Sequence, residues 1–250
     1  MRSELRELVR ELRARAELFD DDDWSVIPAP AESGRPAAAE GTAPVPAADV
    51  DVRLNELAAQ VESCRKCPLG EQRLHPAFGV GSPRSDVMFI GEGPGYEEDR
   101  QGEPFVGPAG QLLDKILAAI GLSRETVYIA NIVKCHPMVD PSLPEKRGND
   151  RAPTPAEMSE CRGYLDEQIR LIRPRVIVTL GGVASKMLIG TETGIMRLRG
   201  KWHTYGPADI PLLPTYHPAA LLRNPEWKRD VWTDMQNLRR FLENQNEELP

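Results

Sequence analysis

Long apolar runs, a secretory leader and abundant cysteine are all missing from this sequence. None of its 250 residues falls in an apolar run of about 18 residues, which a transmembrane helix would need. The opening segment, MRSELRELVRELRARAELF, has no apolar core of the kind that a secretory signal contains. We therefore expect a cytoplasmic protein with no membrane partner. In that reducing compartment, its four cysteines are more often metal ligands or buried apolar residues than disulfides.

Basic residues are in deficit. The formal net charge is −7, which at first sight disfavours nucleic acid as a partner. The imbalance lies mostly at the N-terminus, where residues 1–53 carry 12 acidic and 7 basic side chains. The other 197 residues carry 26 acidic and 24 basic side chains and are close to neutral. A nearly neutral domain can still present a local basic face, so the charge does not exclude a nucleic-acid partner.

Composition divides the chain into three parts. Apolar residues recur at helical steps over residues 2–19, and four successive aspartates then end that pattern. The segment that follows is rich in proline and alanine and has few large apolar side chains to bury. We therefore expect an N-terminal amphipathic helix with an acidic stop at 1–27, a disordered linker at 28–50 and one folded domain at 51–250. The helix either docks on that domain or binds a protein partner.

From residue 51 onward, strand and helix patterns alternate. Short apolar runs predict strands, and helical patterns lie between them, one of which begins at the capping box of Thr154 and Glu157. This alternation predicts the α/β class, with a parallel sheet that helices cover on both faces. Ligands of such sheets bind outside the carboxyl ends of the strands. The predicted strands include residues 87–90, 127–133, 176–180 and 212–213.

Unusual residues lie at or near the ends of three of these strands, one of them inside an apolar strand. The first set is the glycine-rich turn GEGPGYEED at residues 91–99, which lacks the lysine of a phosphate loop and whose acids would repel nucleotide phosphates. The second is Asn131, which would either bond the backbone or pair with a pyrimidine edge, since that edge also offers one donor and one acceptor. The third is His217, which is either structural or lies at the mouth of the sheet.

The cysteines form one C-x2-C pair and two single positions farther along the chain. Cys135 ends a predicted strand and Cys161 lies two turns into the capped helix, so both can converge with Cys64 and Cys67. Four thiolates can bind zinc tetrahedrally or carry an iron–sulfur cluster. Spacing alone does not choose between these, and it also leaves open four unrelated buried thiols.

Several long motifs occur in order along the folded part of the chain: GEGPGYEEDRQGEPFVGPAGQLLDKIL, VYIANIVKCHP, NDRAPTPAEMSECRGYL, VIVTLGGVA, LRGKWH and LPTYHPAALLRNP. Together they closely resemble the family 4, iron–sulfur uracil-DNA glycosylases, and the resemblance extends over about residues 54–243. The resemblance implies a three-layer α/β sandwich with a central four-stranded parallel sheet. It also implies a hydrolase that removes flipped-out uracil from single- and double-stranded DNA and so starts base excision repair. We expect a monomer associated with the nucleoid.

The resemblance also implies a cofactor. The four cysteines match the family's ligands of a 4Fe-4S cluster, which favours the cluster over zinc. Because hydrolysis of an N-glycosidic bond needs no electron transfer, we interpret the cluster as a structural staple. Its expected ligands are Cys64, Cys67, Cys135 and Cys161.

Roles for the base-binding residues follow from the same resemblance. Phe105 would stack on the flipped uracil, Asn131 would pair with its N3–H and O4, and His217 would donate a hydrogen bond to O2, where negative charge collects. Thymine would be excluded at C5 by Glu97 or its neighbour Tyr96. Gly91 and Gly95 complete the expected substrate site.

The attacking water has no obvious base. Well-known uracil-DNA glycosylases carry an aspartate at the position of Gly93, and family 4 usually carries an alanine there. An oxocarbenium-like transition state needs only a weakly activated water. We expect the backbone at residues 91–93 to hold that water and Glu92 either to assist or to lie behind the site.

DNA contacts are expected from the segment after the last predicted strand. Leu221, Leu222 and Arg223 would enter the minor groove and fill the gap that the flipped base leaves. The glycine-rich turn and the Gly181-Gly182 pair can present backbone amides to phosphates. Further cations either add charge toward DNA or are merely solvated, namely Lys201, Lys228, Arg229, Arg239 and Arg240.

Three departures from the family pattern leave alternatives open. Gly93 replaces the usual alanine, Tyr96 replaces a usual glutamate, and the segment HPMVDPSLPEKRG after Cys135 is longer than the expected short link. A related branch carries a basic insertion whose histidine traps DNA covalently, but the Glu145–Arg147 stretch has no histidine, so we expect turnover. The alternatives are a non-catalytic DNA-binding or polymerase-associated module and a zinc-stabilised nucleotide hydrolase.

Overall fold

The computed structural model describes residues 47–244 of the chain. The expected helix over residues 2–19 and most of the expected linker lie outside the described residues. Helix α1 (Ala47–Glu62) begins ahead of the expected domain boundary at residue 51. Within residues 47–244, no helix is both long and apolar enough to cross a membrane.

A sheet of six strands forms the middle layer of the described chain. In chain order its strands are β1 (Val80–Gly81), β2 (Val87–Gly91), β3 (Tyr128–Asn131), β4 (Val176–Leu180), β5 (His203–Tyr205) and β6 (Ile210–Thr215). Their order across the sheet is β1-β3-β2-β4-β6-β5. The four central strands run parallel, as expected, and the short strands β1 and β5 pair antiparallel at the two edges. The edge strands were not predicted, because two or three residues carry too little pattern to read.

Helices cover both faces of this sheet. Besides α1 they are α2 (Leu69–Gln72), α3 (Tyr96–Gln101), α4 (Pro108–Ala119), α5 (Pro155–Ile172), α6 (Gly182–Ile189), α7 (Ile195–Leu198), α8 (Pro218–Arg223) and α9 (Lys228–Glu243), with a 3-10 turn at Pro225–Trp227. Buried side chains of α4, α8 and α9 pack on one face of the sheet, and those of α1, α5 and α6 pack on the other. This is the expected three-layer sandwich.

The alternation of side chains along the strands produces these two cores. In β2, Val87 and Phe89 join the core under α4 and α9, whereas Met88 and Ile90 join the core under α1 and α5. All five residues of β2 are buried, as are all five of β4. Strands that are buried on both faces need the continuous apolar runs from which they were predicted.

The helix that carries Cys161 begins where the capping box predicted. The Thr154 hydroxyl accepts a hydrogen bond from the Glu157 amide at 3.3 Å, and the Thr154 amide donates to the Glu157 carboxylate at 2.7 Å. Pro155 occupies the first helical position, where its missing N–H costs nothing. Two contacts from Arg151 to Glu157, at 2.7 and 2.8 Å, fix the chain that enters the helix.

Candidate active site

The carboxyl ends of the parallel strands open into one large cleft. β2 ends at Gly91 and β3 ends at Asn131, while His217 follows β6 by two residues and is the N-cap of α8. The cleft has a volume of about 850 Å³. Phe105, Asn131 and His217, which the sequence analysis assigned to one bound base, all line it.

Gly91 allows two of these side chains to approach each other. A Cβ atom at residue 91 would lie 2.4 Å from Asn131 Oδ1 and 2.5 Å from Phe105 Cζ. The rings of Phe105 and His217 lie 5.4 Å apart between centroids and are tilted by 31°. The carboxamide and the phenyl ring therefore both pack closely against Gly91, and the imidazole lies beside the phenyl ring.

Asn131 presents an unused hydrogen-bond acceptor. Its side chain is 1% exposed, and its Oδ1 atom has no hydrogen-bond partner among the described residues. A buried acceptor without a partner costs free energy, about 1–3 kcal/mol, unless a ligand satisfies it. The backbone behind it is fixed, since Lys134 Nζ donates to the Asn131 carbonyl at 2.8 Å and to Gln168 Oε1 at 2.6 Å.

His217 is held as a neutral imidazole with a defined tautomer. Its Nδ1 atom accepts a hydrogen bond from the Ala219 amide at 3.1 Å, so the ring proton resides on Nε2. Burial, together with the nearby charge of Arg223, lowers the pKa of His217 to about 4. The side chain thus offers an N–H donor without a positive charge. Gly181, at a φ of 94°, gives the ring room, since a Cβ atom there would lie 3.0 Å from His217 Cβ.

The backbone of Phe105 is strained and is held from two sides. Its φ is 57°, a left-handed conformation that a bulky residue rarely adopts. Glu98 Oε1 accepts hydrogen bonds from the amides of Val106 and Gly107, both at 3.0 Å, and Oε2 accepts one from Gly95 at 3.2 Å. Arg124 donates to the Phe105 carbonyl at 2.9 Å.

Glu98 and Arg124 were missed in the sequence analysis. Glu98 lies in a run of acids that was read only as repelling phosphates, and Arg124 follows a helix with no motif around it. The signal that could have indicated Glu98 is its position three residues after Gly95, the residue that precedes α3, because an acid at that position commonly bonds the amides at a helix start.

Glu92 and Gly93 line the same cleft as Phe105, Asn131 and His217. Burial raises the pKa of Glu92. A Cβ atom on Gly93 would lie 2.8 Å from Val133 Cγ2, so even an alanine there would require Val133 to shift. Glycine has no side chain that could hold a water at residue 93. The neighbouring Val133 occupies part of the space that such a side chain would need.

The two candidates for thymine exclusion, Tyr96 and Glu97, also line the cleft. Each has a further partner from the long segment after Cys135. Arg147 contacts the Glu97 carboxylate at 2.7 Å, and its guanidinium lies 4.8 Å from the centre of the Tyr96 ring. Arg100 stacks on the same ring at 4.2 Å. Glu97 is therefore occupied by an ion pair in the protein without DNA.

The expected DNA wedge needs one correction. Leu221 is 1% exposed and belongs to the apolar core under α4 and α9, so it cannot enter a DNA groove. Leu222 is 51% exposed, and Arg223 is exposed and lines the cleft. Successive residues of a helix point about 100° apart, which explains why one leucine faces the core and its neighbour faces solvent.

The cations that line the cleft are mostly not those expected. Besides Arg223 they are Arg147, Arg151 and Lys186, of which Arg151 is used structurally by Glu157. The expected cations of the C-terminal helix and of the loop before β5 do not line it; they are Lys201, Lys228, Arg229, Arg239 and Arg240.

The four cysteines line one small cavity on the side of the sheet covered by α1 and α5. Arg73 and Lys134 line the same cavity, and Arg73 donates to Cys135 Sγ at 2.8 Å. Burial raises the pKa of Cys135 to about 11 and also raises that of Cys161. Among residues 47–244, no group of three or more His, Cys, Asp or Glu side chains has the geometry to hold a single metal ion.

This donor set fits an iron–sulfur cluster better than a zinc ion. In a 4Fe-4S cluster each thiolate binds a different iron atom, so the four ligands surround a larger body than one ion. Four thiols around a common cavity match that requirement, and the cationic Arg73 and Lys134 offset the negative charge of thiolates. The raised thiol pKa values describe protonated cysteines, which ligation would deprotonate.

Comparison with known proteins identifies the family of this chain. The family model "Uracil DNA glycosylase superfamily" matches residues 78–236. A type-4 uracil-DNA glycosylase of Archaeoglobus fulgidus is 38% identical over 192 residues, which cover 74% of this chain and 91% of that protein. One from Thermotoga maritima is 40% identical over 190 residues, 73% of this chain and 91% of that protein. A DNA polymerase of Bacillus phage SP01 is 32% identical over 169 residues, which cover 67% of this chain and 17% of that protein. The chain belongs to the uracil-DNA glycosylase superfamily and, within it, to the type-4 uracil-DNA glycosylases.

Proposed function

We propose that this protein is a monofunctional glycosylase that hydrolyses the N-glycosidic bond of uracil in single- and double-stranded DNA. One observation carries the proposal: an aromatic ring, an unpartnered carboxamide oxygen and a neutral imidazole line the same cleft. A uracil inside a duplex is out of reach, so the base must rotate out of the stack to enter this cleft.

Phe105 and Asn131 bind the flipped base. Stacking of the base on the Phe105 ring supplies about 1–3 kcal/mol and does not depend on the identity of the base. Asn131 Oδ1 accepts from uracil N3–H, and the amide nitrogen donates to O4. Cytosine has an acceptor at N3 and a donor at its exocyclic nitrogen, so both contacts would be mismatched and the buried Asn131 oxygen would stay unsatisfied.

His217 stabilises the departing base. As the glycosidic bond breaks, negative charge develops on uracil O2, and the Nε2–H of the neutral imidazole donates a hydrogen bond to it. Because the pKa of His217 is about 4, the imidazole stays neutral and its donor is in place before the reaction starts. Loss of one such preorganised donor typically lowers kcat by about 10²–10³-fold.

The water attacks a sugar that has already developed positive charge. Such an oxocarbenium-like centre needs little base assistance, and nearby carboxylates stabilise it electrostatically. We assign Glu92 and the backbone of the Gly91–Gly93 turn to the water, because Glu92 and Gly93 line the cleft together with the base-binding residues. Thymine would be excluded at the C5 side by the turn that carries Tyr96 and Glu97.

A 4Fe-4S cluster on the four cysteines would supply structure, not chemistry. The ligand set joins the segment after α1, the segment after β3 and helix α5. These pieces are distant in sequence, so the cluster would fix the segment after Asn131 against the helical layer. The thiols do not line the active-site cleft, which separates the cluster from the reacting base.

Incubation of the iron-loaded protein with a uracil-containing oligonucleotide tests the proposal. We expect release of free uracil and an alkali-labile site, with no strand cleavage before alkali. His217→Asn is the matched variant: its Oδ1 can still accept from the Ala219 amide, but it lacks the Nε2–H donor, so we expect uracil release to slow by at least about 10²-fold. A folded, iron-loaded wild type that binds DNA without releasing uracil would instead establish the non-catalytic module.

A further inference from the structure

The segment between Cys135 and Asp150, which the sequence analysis found to be long, is folded against α3 at the edge of the cleft. Arg147 contacts Glu97, and Glu145 contacts Arg100. Asn149 closes the segment on itself, since its Nδ2 donates to the carbonyls of Asp140 at 2.8 Å and Leu143 at 3.1 Å. The segment is therefore held in one place before any DNA arrives.

Arg147 is the exposed cation of this segment that lines the cleft. Its side chain is 72% exposed, so its guanidinium keeps donors available to a ligand. The sheet order places β3, which precedes this segment, on one side of β2, and places β4 and β6 on the other. Lys186 of α6 and Arg223 of α8 follow β4 and β6 and also line the cleft. Cations thus border the cleft from elements on both sides of β2.

The partner of Arg147 in the free protein is a weak one. An exposed ion pair such as that with Glu97 contributes about 0–1 kcal/mol. The Tyr96 ring, 4.8 Å from the guanidinium, keeps the planar group stacked whichever anion it binds. A DNA phosphate offers two oxygens to the guanidinium fork and releases condensed counterions when it binds. Phosphate should therefore displace the Glu97 carboxylate.

We propose that Arg147 binds a backbone phosphate of the DNA and releases Glu97 to do so. The inference rests on the proposed function, because it places DNA in this cleft. It gives the long segment a purpose: it supplies a positive charge beside a turn whose acids, Glu97 among them, would otherwise repel the DNA backbone. Glu97 then acts as the intramolecular competitor of the phosphate.

Binding to uracil-free duplex DNA, measured at several salt concentrations, tests this directly. We expect Arg147→Ala to weaken binding about five-fold near 0.1 M salt and to reduce the salt slope of log K by about 0.9, the loss of one phosphate contact. Glu97→Ala should tighten binding, since it removes the competitor of the phosphate. Arg147→Lys should restore the salt slope but only part of the affinity, because lysine lacks the fork.

The opposite signs of the two alanine variants distinguish this role from a structural one. If the Arg147–Glu97 pair only fastens the segment, both variants will weaken binding equally and leave the salt slope unchanged, which would overturn the inference. Arg170→Ala, which breaks a comparable exposed pair with Glu167 on α5 (2.6 Å), should change neither quantity. Uracil release by the wild type is scored separately: its failure would reject the proposed function, whereas an unchanged salt slope in Arg147→Ala would reject this inference alone.

Discussion

Gly91→Ala should disable the base-binding site by adding one methyl group. The new Cβ atom would lie 2.4 Å from Asn131 Oδ1 and 2.5 and 2.7 Å from two carbons of the Phe105 ring, where ordinary contacts measure 3.4–4 Å. Relief therefore requires a movement of about 1 Å by the carboxamide, the ring or the backbone of β2.

None of these groups can move without loss. Gly91 pairs with Asn131 in the register of β2 and β3, so the strands cannot separate locally. The backbone of Phe105 is fixed by Glu98 and Arg124. The methyl must therefore displace the two side chains that hold the base. A misplacement of about 1 Å costs about 10²-fold in rate, equivalent to about 2.7 kcal/mol, and overpacking adds about 1–3 kcal/mol of destabilisation.

Single-turnover uracil release from a short oligonucleotide measures the first effect, and thermal unfolding measures the second. Gly163→Ala is the matched control, because Gly163 is exposed on α5 with no atom within 4 Å of the added Cβ. That variant should keep full activity and gain up to about 1 kcal/mol of stability from helix propensity. Full activity in a folded Gly91→Ala protein would refute the placement of the base between Phe105 and Asn131.

Three further predictions follow from the other groups of the site. The pKa of His217 in the folded protein is about 4, below its ordinary value of 6.5. The free energy of unfolding should therefore fall by up to about 3 kcal/mol as the pH falls from 6.5 to 4. Denaturant unfolding of His217→Asn should lack this part of the pH dependence. Glu98→Ala removes the acceptor of three amides, so Phe105 should lose its position and the KM for uracil-containing DNA should rise about ten-fold, with the iron content unchanged. Cys161→Ala should lose the cluster's visible absorption and lower the melting temperature, yet retain some uracil release in the cold, because no cysteine lines the active-site cleft.

The sequence indicated that Asn131 and His217 lie near the ends of strands, where the structure places them, while their roles toward a base stay predictions. Asn131 ends a strand whose apolar pattern is unmistakable, and His217 lies between a strand and a proline that starts a helix. Once the central strands are known to be parallel, their carboxyl ends must share an edge of the sheet. A carboxamide and an imidazole near that edge therefore indicate a binding site for a polar ring.

Residues that act through the backbone or through a folded loop escaped prediction. Glu98 bonds amides that are near it in space only because the turn and the segment around Phe105 meet. Arg147 reaches the cleft through a segment with no regular secondary structure, and no periodicity indicates where such a segment lies. Leu221 was assigned to DNA because a two-leucine step in a helix of six residues does not show which leucine faces the core.

The residues that hydrogen bonds hold in place lie on the side of the site where we propose that the base binds, and few lie on the side of the attacking water. Phe105 and His217 are positioned by hydrogen bonds at 2.9–3.1 Å, and Asn131 by the bond to its carbonyl at 2.8 Å, and all three line the cleft. On the side of the expected water, Gly93 has no side chain, and burial raises the pKa of Glu92, which disfavours its charged form. A raised pKa also suits a proton acceptor, so Glu92 can assist the water, but no side chain at residue 93 holds that water in place. The site is therefore built to stabilise uracil as it leaves, and the water completes a bond cleavage that is already far advanced.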